Sequence, residues 1–146
     1  MCIRTMMLAS ILWPLMLGQS AMLYANDGLS EQRETRFDAF ETRLEIISDQ
    51  LSDQQWSLAD ESVSTALEHW LWLQDSFPPS ETGTGRLRDS IWAKGSDFPA
   101  RMNQVLRDLE RLQREITAHH QTQAEAALDA VEDSCRSCHR RYRSFW

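Results

Sequence analysis

Glycine and proline are scarce in this chain, at 5 and 4 of 146 residues. That excludes a collagen-like or low-complexity protein. A chain that is 42% hydrophobic and 25% charged is also too apolar for intrinsic disorder. Positive charge is in deficit: 15 Lys and Arg face 22 Asp and Glu, giving a net charge of -7 and a pI near 5.0. A nucleic-acid partner is therefore not expected, because phosphate contacts need a basic footprint. Three cysteines are too few for a disulfide scaffold. No stretch alternates apolar and polar residues, so no strand is expected, and no internal repeat is present.

The one long apolar run, from Met6 to Leu17, is too short for a membrane span. About 12 helical residues reach roughly 18 Å against a hydrocarbon core of roughly 30 Å, and Pro14 interrupts them. Arg4 before the run and the polar Gly18-Gln19-Ser20 after it read as a secretory signal over residues 1–25, with cleavage after Ala25 or, alternatively, after Ala21. The mature protein then spans residues 26–146 and is periplasmic. Cys2 leaves with the signal, as do Met1, Met6, Met7, Met16 and Met22, and Met102 is the methionine that stays.

The remainder carries helical periodicity. Phe37, Phe40, Leu44, Ile47 and Leu51 share one face, and so do Ala59, Val63, Ala66, Trp70, Leu73 and Phe77. Phe98, Met102, Val105, Leu109, Leu112 and Ile116 form a third stripe, and Ala124, Leu128, Val131, Cys135, Cys138 and Tyr142 a fourth. Charged and amide residues between them supply the wet faces. Ser30 is expected to cap the first helix and Asp97 the third, with Pro99 in its first turn. Residues 50–57 and 119–122 are polar links, while residues 78–96 hold Pro78, Pro79, Gly83, Gly85 and Gly95 and break the period. Ile91 and Trp92 are expected to form a short turn that plugs one end of the core. Short first and third links favour antiparallel neighbours. The expected fold is all-α, an antiparallel up-down-up-down four-helix bundle.

Cys135-Arg136-Ser137-Cys138-His139 is a C-x-x-C-H sequence, from which the bundle is expected to carry one covalently bound haem c. Two thiols at i and i+3 add to the two haem vinyl groups, and His139 supplies an imidazole nitrogen to the iron. All three fall on or beside the fourth stripe, which would draw the ring into the bundle. A thioredoxin-like pair would sit near a βαβ pattern, which is absent. A disulfide at this spacing would close a very short loop and constrain little of the unfolded chain. Zinc would need four ligands, with only His69, His119 and His120 to complete them. A haem-free helical module is the remaining alternative.

The run Cys135-Arg136-Ser137-Cys138-His139-Arg140-Arg141-Tyr142-Arg143 resembles the cytochrome c′ family's C-x-x-C-H-x-x-Y-R, and Ser90-Ile91-Trp92 to Asp97-Phe98 is similar to its Ile-Trp…Phe segment. The resemblance extends over essentially the whole mature chain. It implies a propionate-binding role for Arg36, a position over the open haem face for Phe40, and a place beside the proximal imidazole for Arg143. Low-spin relatives carry a methionine on the first helix, whereas the first helix here, from Ser30 to about Gln50, has neither Met nor His. The resemblance therefore implies a five-coordinate iron that binds nitric oxide and, depending on distal crowding, carbon monoxide. It also implies electron transfer with periplasmic redox partners and a homodimer through the first two helices. An almost continuous apolar run, Trp70-Leu71-Trp72-Leu73, agrees with a second buried face. The alternative is a low-spin six-coordinate electron carrier, with Met102 the first suspect for the sixth ligand. The arginines at positions 136, 140, 141 and 143 suit the negative end of the helix dipole and would also steer an acidic partner. No acid–base pair is placed for catalytic turnover, so the chain is not expected to be an enzyme.

Overall fold

The computed structural model describes residues 17–78 and 89–143, with side chains from residue 28 onward. The expected apolar core of the signal, Pro14, and the glycines at 83 and 85 lie outside the described residues, as do the side chains at both candidate cleavage positions. Four α-helices order the chain: α1 Leu17–Ser52, α2 Trp56–Asp75, α3 Phe98–Thr117 and α4 Gln121–Tyr142. A 3₁₀ turn, Asp89–Ile91, lies between α2 and α3, and no strand occurs among the described residues. Each helix packs on the next, and α4 returns to α1 with the lightest of these contacts. No described helix is long and apolar enough to cross a membrane.

The stripes become the core. All six stripe residues of α3 are buried, and Ile47, Val63, Ala66, Leu109, Leu112 and Val131 are fully so. Phe37, Phe77, Cys135 and Cys138 are only partly buried, and all four lie at one end of the bundle around a common cavity. Ile91 is buried and closes that end, as the turn was expected to do, whereas Trp92 is half-buried and donates to the Pro78 carbonyl at 2.9 Å.

The two short links are built alike. Gln54 and His119 take left-handed backbone angles, φ 55° and 57°. Gln55 N donates to Gln50 O at 2.8 Å and Gln54 N to Leu51 O at 3.0 Å, and His120 N to Glu115 O and His119 N to Ile116 O repeat the pattern at 2.9 Å each. This reciprocal pairing satisfies the last carbonyls of α1 and α3 and reverses the chain. His119 also stacks on Trp56, ring centroids 5.0 Å apart.

Two expected caps differ. Ser30 lies inside α1, because the helix continues upstream to Leu17 through good helix formers such as Gln19, Ala21, Met22 and Leu23. Asp97 does occupy the N-cap position of α3, but its carboxylate makes no capping bond. Ser96 Oγ accepts from Phe98 N at 3.2 Å instead. The Asp97 carboxylate is taken by stronger donors: the Tyr142 hydroxyl, Arg101 Nε at 2.8 Å and Arg141 Nε at 3.0 Å. Charge-assisted bonds of this kind outcompete a neutral backbone donor. The result is a clasp between the start of α3 and the end of α4.

Those bonds, the Tyr142 hydroxyl first and Arg101 next, hold the Asp97 carboxyl down at about 2 against an ordinary 3.8. A carboxyl depressed in the fold stabilises it fully above its ordinary value, and the contribution is lost as pH falls through the depressed one. The stability of wild type should therefore exceed that of Asp97→Asn most above the ordinary value, and acid titration should show the gap closing between the two values, with a flatter profile in the variant. For the core, Leu109→Ala is expected to cost about 2–5 kcal/mol, while Leu71→Ser, at a half-exposed position, should stay within about 0.5 kcal/mol. Urea unfolding of the purified protein measures both.

Candidate functional site

Light contact between α1 and α4 leaves a cavity of about 650 Å³ between them. That lies inside the roughly 300–1,000 Å³ of ordinary cofactor pockets. Cys135, Cys138, His139, Tyr142 and Arg143 of α4 form one wall. Spacings of three and four residues put the thiols and the imidazole on one helix face. α1 supplies Arg33, Phe37 and Phe40 opposite, with Ser30, Glu34, Asp38 and Glu41 along the rim. Trp70 from α2, Phe98 and Met102 from α3, Phe77 and Ile91 complete the enclosure.

The aromatic walls lock one another. Phe40 lies against Trp70 at 5.0 Å, and Phe37 meets Trp70 edge-on at 6.2 Å. Trp70 Nε1 donates to the Met102 carbonyl at 3.0 Å, which ties α2 to α3. On the other side, Phe77, Phe98 and Tyr142 form a chain of edge-on contacts at 4.9 and 5.3 Å.

Electrostatics keep the motif neutral. Burial pushes the Cys135 thiol up to about 12, with Cys138 and Glu41 adding to it. Burial also raises the Cys138 thiol, against the pull of Arg101. His139 is lowered, by burial first and the Arg143 guanidinium second. A neutral imidazole is the form that offers a lone pair to iron. The two cysteines are unpaired thiols. Among the described residues no three of His, Cys, Asp or Glu converge as a metal-binding group, so the donor set does not suit zinc. It does suit a flat apolar ring held at two sulfurs, with one nitrogen reaching its metal.

The sequence-derived residues divide clearly. Cys135, Cys138, His139, Phe40 and Arg143 come together on the cavity, and Met102 is in its wall. Arg36 does not reach it: its guanidinium sits 3.1 Å from His69 Nδ1 and over the Trp72 ring at 5.0 Å. The α1 arginine that does reach it is Arg33, only 2% exposed. It donates to the Ser76 carbonyl through Nε at 2.9 Å and also through Nη2, and lies over the Phe77 ring at 4.5 Å. Arg33 continues the stripe of Phe37, Phe40 and Leu44 one turn upstream, and that spacing was the available signal. Phe37, partly buried in the same wall, joins Phe40 there. The basic cluster is less free than its sequence suggests. Arg136 pairs with Glu132 at 3.0 Å and Asp133 at 2.8 Å, and Arg141 with Asp97. The cavity itself carries both signs of charge, from Glu34, Asp38 and Glu41 on α1 and from Arg143 at the end of α4.

The Cytochrome C' family profile matches residues 29–143. No curated protein matches the sequence. Among solved structures, one described as cytochrome c' aligns with TM-score 0.74 and 17% identity, covering 81% of this chain and 96% of that one. A nitric oxide complex of a mutant cytochrome c prime from Alcaligenes xylosoxidans aligns at 0.72 and 18%, covering 80% and 94%. Cytochrome c' from Rubrivivax gelatinosus aligns at 0.68 and 15%, covering 77% and 91%. With the helix order and the motif on the cavity wall, these likenesses agree, and the chain belongs to the cytochrome c′ family.

Proposed function

We propose that the chain is an exported, periplasmic c-type cytochrome, cut from a signal over residues 1–25, that transfers electrons and binds nitric oxide. Proteins of its family carry covalent haem c. Cys135 and Cys138 would hold the ring through thioethers, and His139 would be the protein's axial ligand. Bound there, haem c supplies an iron that exchanges electrons and takes a small ligand at its open face. The observation that carries the reading is the cavity itself: both thiols and the imidazole on one wall, and phenylalanines with neither Met nor His on the α1 wall opposite. The nitric oxide complexes of Alcaligenes xylosoxidans cytochrome c prime support the gas.

The chain's own residues do the rest. Phe37 and Phe40 exclude water and crowd the open face, which hinders carbon monoxide more than nitric oxide. Arg143 stands beside His139 and favours its neutral form. Arg33 takes the propionate role in place of Arg36, since it is the α1 arginine in the wall. Partner proteins are periplasmic redox proteins, met at a rim of mixed charge. A homodimer would use the face of α2 that leaves Leu71 half-exposed.

Met102 favours a second reading, because its side chain is buried in the cavity wall. A sulfur bound to the iron would make the protein a six-coordinate electron carrier.

Absorption spectra of the ferrous protein separate the two readings. An open iron gives a high-spin Soret band that moves on adding nitric oxide, and Met102→Leu leaves it unchanged. A sharp low-spin spectrum that becomes high-spin in Met102→Leu would establish the second reading. For the propionate role, Arg33→Gln is expected to lower the reduction potential, because it removes a buried cation that favours the reduced state. Arg36→Gln should leave the potential unchanged, as redox titration would show.

A further inference from the structure

We infer that Arg101, on α3, is a positioning residue for the haem-attachment turn. It grips Ser137, between the two thiols, and so sets the direction in which His139 presents its imidazole. This inference rests on the haem reading above.

The geometry is a relay of three links. Arg101 Nη1 donates to Ser137 Oγ at 2.7 Å. The same guanidinium is fixed from behind by Asp97 Oδ2, at 2.8 Å from both Nε and Nη2. The other carboxylate oxygen of Asp97 takes the Tyr142 hydroxyl and Arg141 Nε. One α3 unit, Asp97 with Arg101, therefore holds α4 two residues before His139 and again two and three residues after it.

Ser137 and Arg141 are four apart and share a helix face. His139 lies midway between them in sequence, about 200° around the helix. A grip on the Ser137 face consequently fixes the rotation of this turn about its own axis. A rotation of about 10° would move the imidazole nitrogen by about 1 Å, comparable to the tolerance of a functional site.

Holding α3 against α4 does not require this relay. Ser134 Oγ already donates to Asp108 Oδ2 at 2.8 Å one turn earlier, and Leu109, Leu112 and Val131 are fully buried between the helices. The Arg101 side chain is 30% exposed, and ion pairs so exposed add little to stability. What distinguishes the relay is its place on either side of the iron ligand.

The test uses the haem-loaded protein and its iron–imidazole stretching band in ferrous resonance Raman spectra, with thermal unfolding alongside. Arg101→Ala and Ser137→Ala should each shift the band at unchanged haem content. The double variant should shift it no further than either single one, because both remove the same link. Arg101→Lys should remain shifted, since one ammonium cannot bridge Asp97 and Ser137 as the planar fork does. Ser134→Ala, which removes the neighbouring tie, should leave the band in place. A wild-type band that stays unmoved in Arg101→Ala, whatever happens to the unfolding temperature, would overturn this inference alone. A wild-type protein that holds no haem would overturn the haem reading and this inference with it.

Discussion

The structure turns on a volume that its own side chains do not fill. Four stripes of apolar residues close three of the four helix contacts, but at one end α1 and α4 stand apart around about 650 Å³. Close packing is the rule in protein interiors, and an apolar space of that size is costly to leave without contents. The walls explain the contents. α4 brings two thiols and an imidazole to one side, while Trp70, Phe40 and Phe98 make the remainder apolar. A covalent ring held at those two thiols would complete the core, with the imidazole on the same wall to reach its metal.

Burial acts on the motif in one direction. It favours the neutral thiols of Cys135 and Cys138 and the neutral imidazole of His139. Several charged groups around it are paired or shared. Arg33 spans the end of α2 and the cavity, Asp97 gathers Tyr142, Arg101 and Arg141, and Arg136 is held by Glu132 and Asp133. The attachment turn is thus apolar toward the cavity and fastened by polar contacts on its α3 side.

Much of this was legible in the sequence. The α3 stripe from Phe98 to Ile116 is buried at every position, because a regular four-three repeat leaves little choice of face. The C-x-x-C-H run was legible for the same reason, since its spacing fixes its face once α4 exists. What escaped was the choice among partners. Asp97 sits at a cap position, yet its carboxylate goes to Tyr142, 45 residues away, and to two arginines. Local sequence does not reveal a competitor that distant. Arg33 escaped because the first stripe was begun at its first apolar residue, although its spacing continues the pattern by one turn. Arg36, one residue from the Phe37 turn, instead faces His69 and Trp72.

The most direct test of a cavity completed by a covalent ring is acid–acetone extraction of the purified exported protein, followed by intact mass and an absorption spectrum. The account predicts that one haem stays with each polypeptide, and that replacing both Cys135 and Cys138 by alanine lets the haem pass into the solvent. A colourless wild-type protein, or one whose haem extracts freely, would contradict it.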